Sequence, residues 1–156
     1  MVVGLWEAGP AALPDAAQLR RLVGLWRECA PAEGDLPTDL VAALPAAALA
    51  GLPELMRREL DDWAGAVVAL DVDELADLVR FFAVVEAQVS GCEVGKRSPA
   101  IACARELRAR GAYPASLTPW LRKHSSNRFL PYGSLLDVNR SAAVPAAGNP
   151  ASEPKP

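Results

Sequence analysis

The chain has 156 residues, 51 % of them apolar, few aromatics, three cysteines and a net charge of −3. That length supports one domain with a real core and is too short for two ordinary ones. Its apolar residues are largely Ala and Leu, which favours helix over sheet, and its longest charge-free apolar run, 40–53, is 14 residues broken by Pro45, which excludes a membrane span there.

The small net charge conceals an asymmetry. Residues 1–95 carry six cations against sixteen acids, whereas 96–140 carry nine cations against Glu106 and Asp137. Such polarity points to a partner. The N-terminus lacks a basic region before its apolar residues and meets Glu7 and Pro10 early, unlike a secretory signal, so a soluble cytoplasmic protein is expected. Cys29, Cys92 and Cys103 match no disulfide framework or zinc spacing and suit a reducing compartment. No cofactor or metal is expected.

Residues 1–11 are expected to fray. Asp15 caps a first helix, with Gln18 as its reciprocal partner, that runs to Cys29 and stops before Pro31. Leu19, Leu22, Val23 and Trp26 recur on one face, and Trp26 anchors the core. After the loop PAEGDLP, Thr38 is expected to cap a short helix that Pro45 interrupts or restarts. A third helix is expected over 53–70, with the stripe Leu52, Met56, Leu60, Trp63, Val67 and Leu70. Asp71 with Glu74 then caps a fourth helix so closely that the two should form an antiparallel hairpin at the centre of the fold.

In that fourth helix Leu75, Leu78, Phe82, Val85 and Val89 make one row, widened by Val79 and Phe81. Glu86 is out of place: on a helical wheel it falls between Leu75 and Val79, inside the apolar sector. A carboxylate there either snorkels to the rim or pairs, with an arginine of the basic segment as its expected partner. Ser98-Pro99 starts the next helix and Gly111 ends it, with Ala100, Cys103, Ala104 and Leu107 inward and Arg105 and Arg108 elsewhere. Thr118-Pro119 is expected to start a last short helix, followed by the loop NRFLPYG with Phe129, Leu130 and Tyr132, and by a disordered Pro/Ala-rich tail over 138–156. The expected whole is an all-α domain of about five helices spanning 12–137, an acidic platform over 12–94 and a basic helix-turn-helix-like segment over 95–137.

Candidate chemistry is sparse. GCEVGKRS has three residues between its glycines and Arg97 after its lysine, so it is not a phosphate loop. Lys96 and Arg97 nevertheless precede a helix N-terminus whose amides could hold an anion, although a solvated basic turn is the favoured reading. His124 has no acid nearby in sequence, and Cys92, in a loop close to Lys96 and Arg97, is the one thiol with scope for reactivity, although an inert thiol is the favoured reading. These signals do not assemble into an enzyme. The leading expectation is a non-enzymatic interaction or adaptor protein that binds a protein partner, or its own copies, through Lys96, Arg97, Arg105, Arg108, Arg122, Lys123, His124, Arg128, Phe129 and Tyr132. The alternative is a helix-turn-helix-like nucleic-acid binder, although the turn from Gly111 to Leu117 is longer than the usual three or four residues.

Overall fold

The computed structural model describes residues 13–29 and 39–130, and over these the chain is helical with no strand. Seven α-helical segments follow one another: α1 (Ala16–Cys29), α2 (Leu40–Ala43), α3 (Ala46–Met56), α4 (Ala64–Val67), α5 (Val72–Gln88), α6 (Pro99–Ala109) and α7 (Leu117–His124). Five of them have eight residues or more. Thr38, Tyr132, the first eleven residues and the tail over 138–156 lie outside the described residues. None of the described helices is long and apolar enough to cross a membrane.

The fold is organised around α5. Ten of its residues are buried, in an unbroken run from Phe81 to Glu86 and in Leu75, Ala76, Leu78 and Val79, so it is enclosed on nearly every side. Its main partners are α6 and α1, with α7 at the C-terminal side. The small residues Ala100, Cys103 and Ala104, all fully buried, let α6 approach α5 closely. From α1 come Leu19, Leu22, Val23 and Trp26, as the 3.6-residue repeat requires. A chain of edge-on aromatic contacts crosses the interior: Trp63 meets Phe82, Phe82 meets Phe81, Phe81 meets Trp26, and Trp26 meets Trp120.

Local sequence logic explains most boundaries. Asp15 Oδ1 accepts from the Gln18 amide at 2.8 Å. Asp71 and Glu74 form a reciprocal capping box at 2.8 and 2.9 Å. Ser98 Oγ accepts from the Ala100 amide at the start of α6. Gly111, at φ 68°, closes α6: the Ala112 amide reaches the Leu107 carbonyl at 2.9 Å and the Gly111 amide that of Arg108 at 3.0 Å, the paired C-terminal bonds that a left-handed glycine permits.

The expected helix over 53–70 is not one helix. α3 runs through Pro53 and stops at Met56, and Glu59 starts a new turn over Leu60–Trp63 that leads into α4. A second capping box causes the break, because the Glu59 side chain accepts at Asp62 while the Asp62 carboxylate accepts from the Glu59 amide at 3.0 Å. The stripe is still mostly inward: Leu52, Met56, Trp63, Val67 and Leu70 are buried, and Leu60 is half-buried. The segment that meets α5 at Asp71 is therefore a short turn of helix, and the long helix pair at the centre is α5 with α6. The last helix also starts earlier than expected, with Ser116 in the N-cap position; the Thr118 hydroxyl instead shares a 2.8 Å hydrogen bond with Tyr113.

Candidate functional site

Several of the arginines are engaged inside the molecule. Arg97 pairs with Glu59 at 3.2 Å and donates to the Arg57 carbonyl at 3.5 Å, tying the basic segment to the platform. Arg110, flanked by Glu106 at 2.8 Å, donates to the carbonyls of Leu70, Val67 and Val68 at 2.6, 3.2 and 3.1 Å. Arg20 takes the Ala69 carbonyl at 2.7 Å and Glu74 at 3.1 Å. Four successive carbonyls at the end of α4 are thus held by two guanidinium groups, which suits cations at a helix C-terminus. Arg105 and Arg108 are half-buried, and Arg108 lies over the Tyr113 ring at 4.4 Å.

What α6 and α7 turn outward is smaller than the basic composition implies. Lys96, Arg122, Lys123 and Arg128 are exposed. On α7, Leu117 and Leu121 are buried and Trp120 packs against Trp26, so helical spacing sends Arg122 and Lys123 to the opposite side. His124 stacks on Trp120 at 4.6 Å, and Arg80 lies over the same indole at 5.8 Å. Phe129 and Leu130 are half-buried, with Arg128 over the Phe129 ring at 5.2 Å. The connection between α6 and α7 runs from Arg110 to Ser116, and α7 has eight residues, so it lacks the tight turn and long second helix of a DNA-reading helix pair.

Burial bears on both features of the loop before α6. Its N-terminus is not an open anion site: Ser98, Pro99, Ala100 and Ile101 are buried, Ser98 already caps the helix, and Arg97 is engaged by Glu59. Cys92 is not a reactive thiol either. It is fully buried, and burial, reinforced by Glu93 and Glu86, pushes its pKa up to about 11.

Glu86 departs from both readings of the sequence. It neither snorkels nor pairs with an arginine: it is 3 % exposed, and its Oε1 accepts from Asn127 Nδ2 at 2.7 Å. Burial outweighs the help of the Ser98 hydroxyl and the Asn127 amide, and the nearby Glu93 adds to it, so the carboxyl is pushed up to about 7. Asn127 is the hub of this corner. Its Nδ2 also donates to the Gly95 carbonyl at 2.9 Å, its Oδ1 accepts from the Phe129 amide at 2.9 Å, and its own amide donates to Ser125 Oγ at 3.0 Å. The turn after α7 is thereby fastened to the C-terminal end of α5 and to the loop before α6.

Around this hub lies a cleft of about 230 Å³, lined by Glu86, Glu93, Gly95, Ser126, Asn127, Arg128 and Phe129. Glu86 was visible from its wheel position, whereas Asn127 and Arg110 carried no signal, because each acts on residues 40 or more positions away. No group of three metal-ligating side chains exists among the described residues. Comparison of the chain with protein-family models, with curated proteins and with solved structures finds no match to any of them.

Proposed function

We propose that the chain is a non-enzymatic interaction module that docks a protein partner, or a second copy of itself, through the outer side of α7 and the turn that follows. The observation that carries this reading is the division of labour on α7. Its apolar residues are committed to the core, while Arg122 and Lys123 are exposed beside Arg128 and the half-buried Phe129. Arginine and aromatic side chains placed together are the usual anchors of protein interfaces. Because Arg97 serves the fold and Arg105, Arg108 and His124 are half-buried, the working surface among the described residues narrows to Arg122, Lys123, Arg128 and Phe129, with Lys96 exposed as well.

The test is sedimentation of the purified chain across concentration, together with isotope-labelled pull-down from native lysate, each repeated with Arg122→Ala/Lys123→Ala. Docking predicts self-association or a stoichiometric partner that the double variant loses while keeping its helical spectrum. A monodisperse monomer with no partner overturns it. The exposed cations of α7 also suit a nucleic-acid backbone, and retardation of a random duplex at about 50 mM salt, abolished by the same variant, would favour that reading instead.

A further inference from the structure

The corner that joins α5, the loop before α6 and the turn after α7 contains two acids without counter-ions. Glu86 is 3 % exposed and its Oε2 has no hydrogen-bond partner, while Glu93 is exposed on the same cleft. Among the described residues neither has a cation within ion-pair distance, although Arg128 lines the cleft beside them. The Phe129 ring, which the Arg128 guanidinium overlies at 5.2 Å and which the occupant would have to share with it, completes the lining. An unmatched buried carboxyl, a second carboxylate and an aromatic face together present what a single organic cation requires: charge, hydrogen-bond acceptors and a polarisable surface.

We infer that this cleft binds one ammonium or guanidinium group, engaged by Glu93 at the mouth and Glu86 at the floor and resting on Phe129. The volume limits the occupant. At about 230 Å³ the cleft is below the ~300–1,000 Å³ of pockets that take whole drug-sized ligands, so it fits one functional group: a basic side chain of a peptide or a small free amine. Glu86 Oε2 is shielded from water, so the cation displaces the Asn127 amide from Oε1 or enters as the carboxyl turns about its soft terminal torsion. Arg128 opposes the occupant by like charge. The cleft shares Arg128 and Phe129 with the docking surface proposed above, but the inference does not depend on that surface, since a free amine needs no protein partner.

Titration of the full chain with agmatine and, separately, with N-acetyl-arginine methylamide, followed by NMR at the Asn127 side-chain amide, is the test. Saturable shifts are expected with millimolar affinity. Glu86→Gln and Glu93→Gln should each weaken binding about tenfold, and Arg128→Gln should tighten it. Glu93 is exposed, so its variant leaves the fold intact and keeps the test valid if Glu86→Gln perturbs the corner. Affinity should rise between pH 6 and pH 8, about tenfold per unit below the Glu86 pKa, because only the carboxylate form of Glu86 pairs with the cation; Glu93 and Arg128 are the other charged groups lining this corner, and the nearby Cys92, pushed up to about 11, remains a thiol. Binding of the peptide-like probe alone assigns the site to a partner's side chain, and binding of agmatine as well admits a free amine. Absence of saturable shifts for both probes at about 20 mM, or binding indifferent to both glutamate variants, overturns the inference.

Discussion

Arg20 and Arg110 lie 90 positions apart in the chain yet hold adjacent carbonyls at the end of α4, Arg20 that of Ala69 at 2.7 Å and Arg110 that of Leu70 at 2.6 Å. A four-residue helix has little stability of its own. Its terminal carbonyls are satisfied from α1 on one side and from the end of α6 on the other. Arg110→Ala should therefore cost about 2 kcal/mol in urea unfolding, because several charge-assisted bonds are lost together. Arg110→Lys should recover less than half of this, since an ammonium cannot span three carbonyls as the guanidinium fork does. Full recovery by lysine would mean that charge alone matters at this junction.

Glu86 makes stability depend on pH in the direction opposite to an ordinary surface acid. Its pKa rises from 4.5 to about 7 on folding, so the native state holds a proton that the unfolded chain releases. The associated stability is fully present below pH 4.5 and is lost as pH rises to about 7, in total roughly 3 kcal/mol at most. Glu86→Gln keeps an acceptor for Asn127 and removes the ionisation. It should match the parent at pH 5 and exceed it at pH 8, as measured by chemical denaturation at both values. A variant less stable at pH 8 would contradict the buried neutral carboxyl.

The thiols give a third check. Cys92 and Cys103 are fully buried with pKa values raised chiefly by burial, and Cys29 is half-buried with its thiol donating to the Leu25 carbonyl at 2.9 Å and its pKa also raised. At pH 8 the native chain should react slowly with a thiol-specific disulfide reagent, and Cys29 should lead. All three should react at once in denaturant. Fast native labelling of Cys92 would show that the loop before α6 opens readily.

Trp26 and Trp120 test the link between α7 and the core. Trp26 is 5 % exposed, so Trp26→Ala should cost about 3–5 kcal/mol, whereas the half-buried Trp120 should cost less. Their edge-on contact at 6.4 Å predicts a coupling of about 1 kcal/mol in a double-mutant cycle. Additive losses would mean that α7 is held elsewhere.

The sequence made some of these features readable and hid others, according to how far their causes reach along the chain. Local signals succeeded: Asp15, Asp71 with Glu74, Ser98-Pro99 and Gly111 each act within a few residues, and each stands where expected. The break at 57–59 was missed because a 4, 4, 3, 4, 3 stripe reads identically whether one helix or two short ones present it. Glu86 was legible as an anomaly but not in its resolution. A wheel locates a carboxyl on its own helix, while Asn127 arrives from 41 residues away. The same limit applies to charge: composition showed a basic segment, and only the fold shows that Arg97 and Arg110 bond to acids and carbonyls of neighbouring elements while Arg122 and Lys123 lie exposed on the outer side of α7.

The clasp between α1 and α5 bears on the order in which the chain is made. Arg20 meets Glu74 and Arg27 meets Asp77, partners 54 and 50 residues downstream. At about 5–20 residues per second of synthesis, α1 emerges roughly 3–10 s before the residues that cover Leu19, Leu22 and Trp26. For that interval the nascent chain displays an uncovered apolar stripe, and Arg20 and Arg27, with Arg21 on the same helix, are the solubilising charge that accompanies it.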